Sequence, residues 1–174
     1  MLRAVVMLAA GCVCVPALSA QDSERADYFR AVAGHFNMPA HEVTILGEWP
    51  LPADEIPVVL FIARRSGVSP EAVVALRESG QSWAALTRRY RITPAALHVP
   101  IRDDAPAGGL AGAYDQYRSI PVAQWDGLAL SDAEIIGLVN VRILSQVLRL
   151  SAEQVAAATG STATYVELYA RLRR

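Results

Sequence analysis

The chain has 174 residues, 53 % of them hydrophobic, and carries 16 basic and 17 acidic side chains for a formal net charge of −1. All 16 basic residues are arginine, and the two cysteines, Cys12 and Cys14, both fall within the first 20 positions. A near-neutral balance argues against nucleic acid as a partner, and the missing lysine excludes Schiff-base and P-loop chemistry.

The N-terminus reads as a secretory signal. Arg3 supplies the positive start, residues 4–15 supply an apolar stretch too short to span a bilayer, and Ala17-Leu18-Ser19-Ala20 supplies small residues for cleavage after Ala20. Leu8-Ala9-Ala10-Gly11-Cys12 also resembles a bacterial lipobox with its leucine one place early. That resemblance implies a lipidated Cys12 as the alternative N-terminus. Cleavage after Ala20 leaves residues 21–174 without a thiol, so an exported domain must rest on its core and not on disulfides. No later apolar run reaches membrane-spanning length. The expected location is periplasmic or secreted.

Asp22 or Ser23 is expected to cap a first helix whose Ala26, Phe29, Val32, Ala33 and Phe36 share one face. Met38-Pro39 ends it, and residues 39–46 predict a short second helix. Gly47-Glu48-Trp49-Pro50-Leu51-Pro52 reads as a linker, because closely spaced prolines disfavour helix. From Pro52 or Asp54 a long helix follows, apolar all round from Ile56 to Ala63, with Pro57 confined to its first turn. Ser69-Pro70-Glu71 opens another helix with an N-cap, a first-position proline and an acidic dipole partner. Gly80 ends it. Ser82 caps the next, placing Trp83, Leu86 and Tyr90 on one face. Thr93-Pro94 then starts a turn that cannot pass Pro100.

Residues 100–125 lose this pattern and read as an irregular linker, with a short helix from Ala113 to Arg118. Ser131-x-x-Glu134 and Ser151-x-x-Gln154 are capping boxes for later helices. Displaced by 82 positions, Ser69 meets Ser151, Val73 meets Val155, Ser82 meets Thr164, Trp83 meets Tyr165 and Leu86 meets Leu168. The expected architecture is a single all-α domain over residues 21–174, without a sheet, of about eight helices. It contains two related three-helix units, residues 53–97 and 132–174.

The segment from Ser82 to Leu97 resembles the helix-turn-helix of DNA-binding proteins, including the second-helix start Thr93-Pro94. The resemblance implies a second helix that reads bases. Here that helix offers Ala95, Ala96 and His98, and Arg91 stands where the motif commonly has glycine. With the acidic balance, the reading is shared helix-packing geometry without nucleic acid. Gly80-Gln81-Ser82-Trp83-Ala84 falls one residue short of a nucleophile elbow and lacks the preceding strand. His35, His41 and His98 have no metal-ligand spacing. No cofactor or metal is expected.

Arg64, Arg65, Arg77, Arg88, Arg89 and Arg91 form the densest basic group, suited to phosphate or carboxylate. The expected function is that of an exported, non-catalytic interaction or structural protein of the bacterial cell envelope. Its expected binding residues are Arg88, Arg89, Arg91, Tyr114, Tyr117, Arg118 and Trp125, and its expected partner an envelope protein or an anionic lipid or cell-wall ligand. The alternative is a cell-wall-directed hydrolase using Glu48 or Glu55, paired with a second carboxylate such as Asp103 or Asp115.

Overall fold

The computed structural model describes residues 17–174; the n- and h-regions of the expected signal, with Cys12 and Cys14, lie outside the described residues. Among the described residues there are ten α-helices and no strand. They are α1 (Ala17–Phe36), α2 (Ala40–Leu46), α3 (Ile56–Ser66), α4 (Pro70–Glu78), α5 (Trp83–Arg89) and α6 (Pro94–Leu97), then α7 (Ala111–Ser119), α8 (Asp132–Leu148), α9 (Ala152–Ala158) and α10 (Tyr165–Leu172). The all-α reading of the sequence holds. No helix is long and apolar enough to cross a membrane among the described residues.

Two apolar helices, α3 and α8, pack against each other at the centre. Every residue of α3 from Ile56 to Ala63 is buried, as an element enclosed by neighbours on all sides requires. Pro57 sits in the first turn, where its missing N–H costs nothing. In α8, Ile135, Leu138, Val141, Ile143 and Leu144 are each at most 1 % exposed, and burial of such side chains stabilises by ~1.5–3 kcal/mol apiece. The capping box is formed: the Ser131 hydroxyl accepts from the Glu134 N–H, and Glu134 accepts from the Ser131 N–H at 2.8 Å.

Around this pair, α4 packs on α3, α9 packs on α8, and α5 packs on both α4 and α8. The helix α1 covers α8 and α10 with Tyr28, Phe29, Val32 and Ala33. Helix ends recur at the spacing expected from the sequence. α3 ends at Ser66 and α8 at Leu148, α4 starts at Pro70 and α9 at Ala152, and α5 starts at Trp83 and α10 at Tyr165. Each pair is 82 positions apart. The N-caps Ser69, Ser82, Ser151 and Thr164 all accept a backbone N–H three residues on. Beyond the two long helices, Gly67 (φ 73°) and Arg149 (φ 55°) take the same left-handed conformation.

Three expectations need correction. Helix α1 already includes Ala17 to Ser23, so neither Asp22 nor Ser23 caps it; Ala17, Leu18 and Ala20 all favour helix. Helices number ten among the described residues where about eight were expected, the short ones expected at 39–46 and 113–118 being present as Ala40–Leu46 and Ala111–Ser119 and the 94–97 turn closing as a helix too. The stretch 100–125 holds the expected short helix as α7, but it is more ordered than a linker around it, with a 3-10 turn at Gly108–Leu110 and a 3-10 segment at Val122–Gly127. Tyr114 and Tyr117 lie one helical turn apart and bury themselves against α6 and the chain beyond it, which supplies the packing that the weak local pattern lacked.

Candidate functional site

The arginines of the basic group separate in the fold. Arg77 is a structural centre: its Nε and Nη2 donate to the two carboxylate oxygens of Glu55 at 3.0 Å each, and its Nη1 donates to Asp132 at 3.1 Å. Its guanidinium carbon lies 5.0 Å from the Trp83 ring centre. Glu55 therefore has both oxygens engaged in a bidentate ion pair. Glu48 is exposed on the linker. Arg88 and Arg89 close α5, and Arg91 follows it with φ 55°; all three are exposed. Arg91 thus adopts the left-handed turn for which the helix-turn-helix pattern uses glycine, and the helix after it, α6, is a single turn.

The aromatic residues of the 100–125 stretch converge on His98. The His98 ring lies 4.3 Å from Trp125, 4.7 Å from Tyr117 and 5.9 Å from Tyr114, centre to centre. Their polar atoms are spent on backbone carbonyls. Tyr114 donates to Val99 at 2.7 Å, Tyr117 to Pro94 at 2.7 Å, and the Trp125 indole N–H to Tyr117 at 2.9 Å. Burial pushes the Tyr114 hydroxyl up to about 12 and the Tyr117 hydroxyl higher still, and burial followed by Arg142 pulls His98 down. Arg118 is exposed and donates to the Arg102 and Ala105 carbonyls at 3.1 and 3.3 Å. This cluster clamps α6 and α7 together.

A different set of cations lines an open cleft of about 480 Å³ where α1, the end of α3 and the middle of α8 meet. Arg64, Arg65 and Arg142 line it with His35, Phe36 and Phe61, and Gln146 completes the rim. Each guanidinium rests on an aromatic ring. Arg64 lies 5.9 Å from the Phe36 centre, and Arg65 and Arg142 lie 5.3 and 5.2 Å from the Phe61 centre. Such contacts hold the planar groups in place at little entropic cost. Arg142 is fixed further: its Nη2 donates to the Ala96 and His98 carbonyls at 2.9 and 2.8 Å. Its Nε and Nη1 donors remain.

None of the three arginines has an ion-pair partner among the described residues, which include every acidic side chain of the chain. Like charge crowds at this site. Burial and then Arg65 lower the pKa of Arg142, and burial, Arg64 and Arg142 lower that of His35. A charge partly withdrawn from water and facing other cations is costly unless an anion completes it.

Arg64, Arg65 and His35 stood out in the sequence, but Arg142 did not. The signal was available: a lone arginine at position 142 interrupts an apolar run, Ile135 to Leu144, that is otherwise broken only by Asn140 and Gly137. Among the described residues, no group of three or more His, Cys, Asp or Glu could hold a metal ion. No family model matches the chain, and neither a curated protein nor a solved structure matches it.

Proposed function

We propose that this is an exported, non-catalytic binding protein of the bacterial envelope whose working surface is the arginine-lined cleft between α1, α3 and α8. The observation that carries the reading is the uncompensated set Arg64, Arg65 and Arg142 around Phe61. Guanidinium groups held by aromatic rings and short of carboxylates are suited to an anionic partner. Export is inferred from the signal pattern of the sequence, and the burial pattern is compatible with it. Residues 20–23 are exposed, and the core contributed by α1 starts only at Tyr28. Cleavage after Ala20 would leave that core intact.

The hydrolase alternative draws less support, because Glu55 is held by Arg77 and Glu48 stands in the open. Two measurements test the proposal. The tagged full chain, expressed in a Gram-negative host, should be recovered from the periplasmic fraction with Gln21 as its first residue; recovery from the cytoplasm with Met1 intact overturns export. The purified protein should co-sediment with anionic lipid vesicles or cell-wall sacculi in a salt-sensitive manner and release no muropeptides. Glycan release abolished by Glu48→Gln or Glu55→Gln would replace this reading with the hydrolase.

A further inference from the structure

The cleft has a more specific chemistry than a general liking for negative charge. Resting on the reading above, we infer that it takes an organic phosphate monoester, with the phosphate among Arg64, Arg65 and Arg142 and the organic part along Phe36 and Phe61.

Charge and donor count favour phosphate over carboxylate. Three guanidinium groups face one opening with no acidic neighbour, so a monoanion with two oxygens would leave both charge and donors unmatched. A phosphate monoester carries close to two negative charges at neutral pH and offers three terminal oxygens. Arginine forks bind such oxygens pairwise. Arg65 makes no hydrogen bond to the protein among the described residues, and Arg142 keeps Nε and Nη1 unspent after holding the two carbonyls with Nη2. Arg64 makes only a 3.5 Å contact to the His35 carbonyl. The ligand would therefore displace water and not an existing ion pair.

Position supports the same class. Arg64 and Arg65 occupy the last turn of α3, side by side at one edge of the opening. Arg142 enters from α8, 77 positions on from Arg65, and its carbonyl contacts fix the far side of the opening. A cleft of about 480 Å³ is roomy for a phosphate alone and has apolar walls in Phe36 and Phe61. Both features suit a carrier attached to the phosphate. That carrier is either a free small molecule or a membrane lipid.

Isothermal titration of the purified protein with phenyl phosphate distinguishes these, beside vesicles containing phosphatidate (a monoester lipid) and vesicles containing phosphatidylglycerol (a diester lipid). Benzoate serves as the carboxylate probe. Arg65→Gln is the informative variant, because Arg65 is exposed and its removal breaks no bond of the fold; Arg89→Gln, which does not line the cleft, controls for loss of a charge elsewhere. Phenyl phosphate binding that weakens at least tenfold in Arg65→Gln and stays unchanged in Arg89→Gln supports the inference with a soluble ligand. The same pattern seen only with phosphatidate vesicles supports it with a lipid source. Equal response to benzoate, or binding confined to phosphatidylglycerol, overturns the monoester and leaves the binding-protein reading standing. No binding to any probe, sacculi included, overturns both.

Discussion

Asp54 and Asp132 each accept a backbone N–H at the start of a helix distant in sequence. Asp54, at the entrance to α3, accepts the N–H of Tyr165 at 3.0 Å, at the start of α10. Asp132, at the start of α8, accepts the N–H of Ala84 at 3.0 Å, at the start of α5. Ala84 is the second residue of α5 and Tyr165 the first of α10. A carboxylate at the entrance to each long helix thus caps a short helix far along the chain. The local caps, Ser82 and Thr164, satisfy a further N–H in the same turns.

Asp132→Ala should destabilise the fold by about 1–2 kcal/mol, combining a lost helix-start acceptor with a lost partner for Arg77. Urea denaturation measures it. A change within error would mean that Ser82 alone holds the start of α5.

Asp54 should make stability depend on pH. Burial raises its carboxyl pKa, against the opposing pull of the Tyr165 and Val166 N–H groups. The folded carboxyl then holds its proton more tightly than the unfolded one, whose pKa is about 3.9. Its contribution is fully present below that value and is lost as pH rises through the folded pKa. Asp54→Asn keeps an acceptor at a helix start and cannot ionise. Relative to the parent, it should gain stability between pH 4 and pH 7, whereas Asp54→Ala should lose about 1 kcal/mol of capping. A parent-to-Asn difference that does not vary with pH would refute this.

Tyr28 and Asn140 form a buried polar pair inside the α1–α8 contact. The Tyr28 hydroxyl donates to Asn140 Oδ1, and the Asn140 amide donates to the Asp54 and Ile136 carbonyls at 2.9 Å each. Burial holds the Tyr28 hydroxyl protonated far above its usual range. Tyr28→Phe strands the Asn140 oxygen and should cost about 1–3 kcal/mol. Adding Asn140→Leu should not recover that loss, because the Asp54 carbonyl is then stranded in turn. Full recovery in the double variant would show that the Asp54 carbonyl bond contributes nothing.

Gly137 is required by close approach. A Cβ there would stand 2.4 Å from Leu110 Cδ2 and 2.7 Å from the Tyr165 hydroxyl. Gly137→Ala gains helix propensity, ~1 kcal/mol, yet should lower stability by about 1–3 kcal/mol through overpacking. Thermal melting reads the sign, and a raised midpoint would mean that Leu110 yields freely.

Arg149 ends α8 in the left-handed conformation that Gly67 takes after α3. An L-residue with a Cβ is strained there by about 1 kcal/mol. Arg149→Gly should therefore be neutral or stabilising by up to about 1 kcal/mol, and Gly67→Arg destabilising by a similar amount. Denaturation midpoints moving the other way would locate a compensating contact at Arg149.

Helix starts and stops were largely legible in the order of residues. Ser69-Pro70, Ser82, Ser131-x-x-Glu134 and Ser151-x-x-Gln154 all act as caps, since each joins groups three positions apart and needs no tertiary partner. Burial of residues 56–63 followed from an uninterrupted apolar run. The role of α7 was not legible, because Tyr114 and Tyr117 find their partners on a different element. Tyr28 was equally silent, its value resting on Asn140, 112 positions away.

What the residues alone determined, then, is most of the helices, their serine and threonine caps and the repeat of those caps 82 positions apart, all set by hydrogen bonds and dipoles that span a single turn. Only the packing of α8 against α3 decided which arginines meet. Arg77 found Glu55 and Asp132 and became part of the frame, while Arg142 came to share the Phe61 ring with Arg65. The physical reason is range: a cap is complete within four residues, whereas a cluster of cations exists only once buried apolar surface has pressed distant segments together.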